Sequence, residues 1–326
     1  MPGAYPYFVR VDNNGSPYCG GSLVADNFVV TAAHCYAANL SVAVNGYDES
    51  RVDNLKWDQS YRTVERMLQH PNFNPVSYEN DIMLLKLNAP VTITDIPNLK
   101  YLRPNFNGTK PVPGDELMTM GLGLTEAKIY PLVLHQVTLD AVDPTECSRK
   151  FSRGGITLFS DVMLCAARSG KDACSGDSGG PLIHMQSGEL VGITSWGVGC
   201  ALAAYPGVYA RVSAYEAWIK DNVCAPSANK PDWCSVTLAP SNACSDKGGI
   251  FTTASLGNGI NTCAQLKAAG ARTQRRICHR KDAKTACKKT CNACGTTTRA
   301  QTSTGTRTSM TARPPTRHLR NGMLLQ

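Results

Sequence analysis

Residues 174–182, Cys-Ser-Gly-Asp-Ser-Gly-Gly-Pro-Leu, place a serine in a glycine-rich segment. A serine hydroxyl is a weak nucleophile at neutral pH, so it needs a base that removes its proton. It also needs hydrogen-bond donors that stabilise the oxyanion formed when it attacks a carbonyl. Small neighbours let backbone N–H groups approach that oxygen closely. The segment therefore predicts nucleophilic catalysis by Ser178, although Gly-Asp-Ser-Gly alone would indicate only a turn.

A histidine and an aspartate upstream are the partners that such a serine requires. His34 lies in Thr-Ala-Ala-His-Cys after an apolar run, and Asp81 begins Asp-Ile-Met-Leu-Leu-Lys-Leu. An imidazole suits the base because its ordinary pKa is about 6.5. A buried carboxylate holds the ring in one tautomer and stabilises the imidazolium. We therefore predict Ser178 as nucleophile, His34 as base and Asp81 as the group that orients His34.

Short apolar or alternating runs separated by turns predict an all-β protein around these residues. The runs cover residues 7–11, 41–44, 82–87, 132–137 and 190–194. One helix is predicted over 214–223, where Ser213 and Glu216 would form a capping box.

These motifs, in the order His, Asp, Ser, resemble the trypsin-like (chymotrypsin-fold) serine proteases from about residue 3 to 223. The resemblance implies two antiparallel six-stranded β-barrels with a C-terminal helix, and a serine endopeptidase acting through an acyl-enzyme. It implies an oxyanion hole built from the N–H groups of Gly176 and Ser178. Cysteine spacing alone leaves the disulfide connectivity open. The resemblance implies three pairs: Cys19–Cys35, Cys147–Cys165 and Cys174–Cys200.

The resemblance also implies where the substrate side chain before the scissile bond would bind. Asp172 would lie at the bottom of that pocket, where a carboxylate favours Arg or Lys through charge-assisted hydrogen bonds. A solvated loop charge is the alternative interpretation of Asp172. The residues that resemble the rest of the pocket are Ser195, Trp196, Gly197 and Gly207.

Activation in the resembled family needs a freed N-terminal ammonium, which would pair with Asp177. The segment near Met1 contains neither the β-branched-Val-Gly-Gly start typical of the family nor a signal peptide. We therefore expect the given start to be truncated and the chain as written to be nearly inactive, because an unpaired buried carboxylate is costly. The competing interpretation is an inactive protease-fold protein with a binding or regulatory role.

Composition divides the chain of 326 residues into two parts. Residues 1–224 hold 17 Lys and Arg against 22 Asp and Glu, whereas residues 225–326 hold 16 against 3, a net charge of +13. Fourteen cysteines indicate disulfides and secretion into an oxidising compartment. The sequence contains no apolar stretch of the length that a membrane span needs.

The C-terminal part is predicted to be separate from the protease domain, which we place at residues 1–224. Residues 225–295 are rich in cysteine, and their ending, Cys287-x3-Cys291-x2-Cys294, resembles ShK-type modules. A generic disulfide-stapled knob is the alternative interpretation. Residues 296–326, rich in Thr and Arg, are predicted to be disordered.

Binding partners follow from these assignments. They are polypeptides with Arg or Lys before the scissile bond, protein protease inhibitors, and acidic glycans that the basic C-terminal part attracts. Nucleic acid is excluded for a secreted protein, and no cofactor or metal is assigned. Three glycosylation acceptor sequons stand at Asn14, Asn39 and Asn107.

Overall fold

Two closed antiparallel barrels organise the computed structural model, which describes residues 3–48, 60–96, 98–159, 161–225 and 230–235. The strands of the first barrel are β1 Phe8–Asn13, β2 Ser16–Ala25, β3 Phe28–Thr31, β4 Leu40–Val44, β5 Ser60–Gln69 and β6 Met83–Leu87. Those of the second are β7 Glu116–Gly121, β8 His135–Ala141, β9 Met163–Ala167, β10 Pro181–His184, β11 Glu189–Trp196 and β12 Gly207–Arg211. The prediction of an all-β protein with two six-stranded barrels is confirmed.

Strand pairing in the first barrel brings two predicted site residues to one edge. The order around this barrel is β1-β2-β3-β6-β5-β4, so β3 and β6 are neighbours. Their antiparallel register pairs Thr31 at the end of β3 with Met83 at the start of β6. Because His34 follows β3 and Asp81 precedes β6, the register places both residues at the same edge.

The second barrel has the order β10-β11-β12-β9-β8-β7. Strand β10 pairs with β11, with Pro181 opposite Ile193. Ser178 lies just before β10, beside the end of β11 that carries Ser195.

The predicted C-terminal helix is confirmed, although it starts later than expected, and a further helix was not predicted. Helix α1, Pro144–Ser152, was not predicted, although Asp143 caps it by accepting the N–H groups of Thr145 and Glu146. Helix α2 runs from Glu216 to Val223 and follows a 3-10 turn, Val212–Tyr215. Its N-cap residue is Tyr215 and makes no side-chain capping bond, so the capping box at Ser213 and the start at Ala214 were wrong.

The predicted strand over residues 132–137 is also shifted. Strand β8 begins at His135 and runs to Ala141. Leu132 and Val133 lie in the preceding loop with 57% and 48% of their surfaces exposed. Their apolar character imitated a strand because sequence alone does not distinguish an exposed apolar loop from a buried one.

Four disulfides stabilise the described part of the chain. Three are the pairs implied by the family resemblance, Cys19–Cys35, Cys147–Cys165 and Cys174–Cys200. The fourth, Cys224–Cys234, was not predicted, because Cys234 had been counted with the C-terminal cysteines.

The first compact unit continues past the expected boundary at Cys224 and reaches Ser235. Its last helix, α3 (Asp232–Ser235), carries Trp233, whose side chain is only 1% exposed. The Trp233 indole donates a hydrogen bond of 2.9 Å to the carbonyl of Val24 on β2. Its ring also meets Phe106 edge to face, with centroids 5.8 Å apart. Residues 230–235 therefore complete the core of the first unit.

Replacing Trp233 by Ala is expected to lower the free energy of unfolding by about 3–5 kcal/mol, the usual loss for a buried aromatic side chain. Trp233→Phe keeps most of the packing and leaves the Val24 carbonyl unpaired, which costs about 1–3 kcal/mol. Guanidinium-induced unfolding with the disulfides intact measures the free energy of unfolding of both variants. Near-wild-type stability of the Ala variant would show that this segment is not part of the core.

Two sequence predictions lie outside the described residues. They are the ShK-like module and the disordered tail. Within the described ranges, none of the helices is both long and apolar enough to cross a bilayer.

Candidate active site

The site is built around a contact between His34 and Asp81. His34 lies in a 3-10 turn, Ala33–Cys35, that directly follows β3. Its Nδ1 lies 2.8 Å from Asp81 Oδ2, and its backbone N–H donates to Oδ1 at 2.9 Å. Asp81 is 1% exposed. The two contacts fix the ring in orientation and favour the tautomer that carries its proton on Nδ1.

The other ring nitrogen, Nε2, is buried and has no hydrogen-bond partner among the described residues. In the tautomer favoured by Asp81, Nε2 is the unprotonated nitrogen. It is therefore the ring atom able to accept a proton. The Tyr78 ring packs edge to face against this imidazole at 5.5 Å between centroids.

Ser195 makes a contact that its sequence position did not indicate. Its hydroxyl donates to Oδ2 of Asp81, and its predicted place in the substrate site stays a prediction. Asp81 thus accepts hydrogen bonds from two parts of the chain. His34 follows a strand of the first barrel, and Ser195 lies on a strand of the second. No local sequence pattern signals this contact, because it depends on β11 meeting the edge of the first barrel.

Contacts of Ser178 and Gly179 attach the nucleophile candidate to the first barrel near His34. The Ser178 carbonyl accepts the N–H of Gly20 at 2.7 Å, and the Cys19–Cys35 disulfide joins the neighbours of Gly20 and His34. Gly179 lies against the side chain of Thr31, where an added Cβ would clash. Ser178 itself is 4% exposed. The nucleophile candidate and the base candidate therefore lie in directly connected segments.

The loop before Ser178 has a backbone conformation that depends on glycine. Gly176 has a φ of +99°, which side-chain-bearing residues rarely adopt. A Cβ there would lie 3.1 Å from both the Gly123 Cα and the Tyr130 ring. Gly176, the predicted oxyanion N–H donor, thus lies at a position where both the backbone conformation and the neighbouring atoms disfavour a side chain.

Asp172 is held by two backbone N–H donors beside a glycine. Its oxygens accept the N–H groups of Ala173 at 2.9 Å and Ala201 at 2.8 Å. Gly207 lies beside it, because a Cβ on Gly207 would approach Asp172 Oδ1 to 2.8 Å. Burial, followed by the negative charge of Asp177, raises the pKa of Asp172 to about 6, against the two N–H donors.

A cavity of about 900 Å³ reaches both Asp172 and Asp177 and is also lined by His135. The other predicted pocket residues, Ser195, Trp196, Gly197 and Gly207, are not among those that line it. Trp196 is instead buried and packs edge to face on Phe151, at 5.0 Å between centroids. Asp172 and Asp177 therefore line the same cavity. The sequence had assigned them to two separate roles and did not indicate a shared cavity.

Asp177 is held by backbone donors rather than by a cation. Its oxygens accept N–H groups from Gly123 and Cys174, each at 2.8 Å, and no Lys or Arg of the described ranges forms an ion pair with it. Any Cβ on Gly121 or Gly123 would overlap this carboxylate, so both positions require glycine. Burial raises the pKa of Asp177, while the N–H donors and the charge of His135 lower it.

One cluster of metal-ligand residue types occurs in the described ranges, formed by Cys19, His34 and Cys35. Both sulfurs belong to a disulfide, so they offer no thiolate to a metal.

Comparison with known proteins shows the family to which the chain belongs. The trypsin family profile matches residues 1–219. Trypsin of Sus scrofa is 36% identical over 224 residues, which cover 68% of this chain and 91% of that protein. Anionic trypsin of Canis lupus familiaris is 35% identical over 226 residues, with 68% and 86% covered. Trypsin of Xenopus laevis is 34% identical over 224 residues, with 68% and 86% covered.

Paired six-stranded barrels with a His–Asp contact and, at their junction, a serine in a glycine-rich segment are the features of a trypsin-like serine protease. The chain belongs to the trypsin family.

Proposed function

We propose that this protein is a secreted serine endopeptidase that cleaves polypeptides after Arg and Lys. The observation that carries the proposal is the buried carboxylate of Asp81 on Nδ1 of His34, which leaves Nε2 as a base. Secretion is supported by the four disulfides, since such bonds persist mainly in oxidising compartments.

In the proposed mechanism, Ser178 attacks the peptide carbonyl while His34 Nε2 takes its proton. His34 then returns the proton to the leaving amine, and water hydrolyses the acyl-enzyme by the same path. Asp81 stabilises the imidazolium formed at each step, and Ser195 positions Asp81. The N–H groups of Gly176 and Ser178 would donate to the oxyanion.

Asp172 is proposed to select the substrate. A guanidinium or ammonium entering beside Gly207 would pair with a carboxylate that protein N–H groups already orient. Because that carboxylate is largely removed from water, its attraction for a cation exceeds that of a surface aspartate.

Asp177 is proposed to receive an α-ammonium group released when the zymogen is activated. Its support is the adjoining cavity and the pKa raised by burial, both of which favour pairing with a cation. Such a pair would hold the loop from Cys174 to Ser178 in one conformation.

A mechanism-based phosphonylating reagent tests the proposal on the secreted, activated protein. Labelling at Ser178, absent from Ser178→Ala, would support the nucleophile. Asp177→Asn should slow labelling by at least about 10²-fold, the effect of losing one oxyanion donor. A folded, activated protein that neither labels nor cleaves peptides would be a protease-fold binding protein instead.

The preference for Arg should weaken below pH 6. Burial raises the pKa of Asp172 to about 6, so acid converts it to a neutral carboxyl that attracts a cation weakly. The test compares kcat/KM for peptides with Arg and with uncharged, isosteric citrulline, because pH effects on the catalytic groups are common to both substrates. The Arg-to-citrulline ratio should fall about tenfold per pH unit well below that pKa. A constant ratio would remove Asp172 from recognition.

We also propose that residues 236–326 attach the enzyme to acidic glycans and are dispensable for peptide hydrolysis. They hold 15 Lys and Arg against 2 Asp and Glu. Ending the chain after Ser235 should preserve kcat/KM on a tripeptide and reduce retention on heparin resin, most visibly at low salt. Ending it after Cys224 serves as the contrast, because Trp233 and a disulfide partner are then lost. Unchanged retention would contradict the attachment role.

A further inference from the structure

Two of the three acceptor sequons meet in space although they lie far apart in sequence. Asn14, of Asn14-Gly15-Ser16, occupies the turn between β1 and β2, and Asn39, of Asn39-Leu40-Ser41, directly precedes β4. Strands β1 and β4 are antiparallel neighbours, with Asn13 opposite Leu40. This register brings the two acceptor asparagines side by side.

The two amide side chains are in direct contact. Asn39 Nδ2 donates to Asn14 Oδ1 at 2.9 Å, and the Asn14 backbone N–H donates to the Asn39 carbonyl at 3.1 Å. Both residues are exposed. Both acceptor residues are therefore at the surface, and the side chain of each occupies part of the space around the other.

The third sequon stands apart from this pair. Asn107 is exposed in the loop between β6 and β7, and its Oδ1 accepts from the Thr109 hydroxyl at 2.8 Å. An added Cβ on Gly108 would meet no atom within 4 Å. Asn107 therefore provides an isolated acceptor in the same chain, against which the pair can be compared.

We propose that Asn14 and Asn39 form one glycosylation site that carries a single N-linked glycan, and that Asn107 carries its own. The proposal rests on the secretion proposed above. The donor is a lipid pyrophosphate-linked oligosaccharide. A bond forms between the asparagine Nδ2 and the sugar C1, the C1–oxygen bond to pyrophosphate breaks, Nδ2 loses a proton, and the lipid pyrophosphate leaves.

Sterics limit the pair to one glycan. A sugar ring is wider than the single hydrogen bond that separates the two amides. The first glycan retains one N–H on its nitrogen and so keeps the contact between Asn14 and Asn39. A second glycan would have to share the same space, and relieving the overlap would separate the paired ends of β1 and β4.

Serine substitutions test this without removing either asparagine. The full chain, secreted from a eukaryotic host, is measured by intact mass and glycopeptide mapping. Ser16→Ala should leave the glycan on Asn39 alone and Ser41→Ala should leave it on Asn14 alone, each with no change in the number of glycans. The double variant should lose one glycan, as should Thr109→Ala. Ser16→Thr preserves the sequon and should match the wild type.

Four results would overturn the proposal. They are two glycans on the pair in one molecule, loss of a glycan in either single variant, a pair without any glycan, and an Asn107 without a glycan. Asn39→Gln repeats the Ser41 test if the β4 substitution impairs secretion. Peptidase activity of the same samples is measured separately, so a failure of the proposed enzyme function remains distinguishable.

Discussion

Replacing Asp81 by Asn is expected to lower kcat by about 10⁴-fold, the size of effect typical of such triads. The carboxylate accepts both the backbone N–H and the ring N–H of His34. An amide in its place can donate to Nδ1, which moves the ring proton to Nε2 and removes the base. Steady-state hydrolysis of a tripeptide with Arg before the scissile bond measures the loss.

Two controls distinguish this effect from general damage. Asp95→Asn makes the same chemical change at a half-buried turn outside the candidate site, where Asp95 accepts bonds from Thr92 and pairs with Arg62, and should leave kcat unchanged. Ser195→Ala removes one donor from Asp81 but keeps the charge, so its loss should be much smaller than that of Asp81→Asn. A similar kcat for Asp81→Asn and the wild type would show that His34 does not act as the base.

Replacing Asp172 by Ser is expected to reduce kcat/KM for an Arg substrate by about 10²-fold or more. Removing one partner of a buried, hydrogen-bonded charge pair costs about 2–5 kcal/mol, and about 1.4 kcal/mol corresponds to tenfold. The uncompensated guanidinium must then lose its hydration without a partner. Chromogenic peptides that differ only in Arg, Lys, Phe or Ala before the bond measure the change in preference.

Asp172→Asn provides the matched control for shape. It keeps the size of the side chain and removes its charge, so it should resemble Asp172→Ser if charge decides the preference. A wild-type enzyme that prefers Phe or Ala, or a variant that keeps its preference for Arg, would contradict the assignment of Asp172.

The all-β class was predictable because its evidence is local. The apolar run after Asp81 forms the buried strand β6, and the run before His34 forms β3. Pairing of those two strands then brings His34 to Asp81. The resemblance in motif and order supplied the remaining topology, which short runs alone do not determine.

Features that depend on distant segments were missed. The bond from Ser195 to Asp81 joins the two barrels, and the shared cavity of Asp172 and Asp177 arises from loops that meet only in the fold. Helix α1, by contrast, could have been predicted from the sequence. Asp143 followed by proline at the first helical position is a start signal that was not recognised.

The burial of Trp233 has a consequence for synthesis on the ribosome. Its indole meets a carbonyl of β2 that left the ribosome 209 residues earlier. Ile219 and Val223 of α2 join the same core as Phe28 and Leu85. Part of the apolar interior of the nascent first barrel therefore stays uncovered until nearly the whole protease domain has been translated. Premature termination anywhere before residue 235 should yield a product prone to aggregation rather than a smaller stable protein.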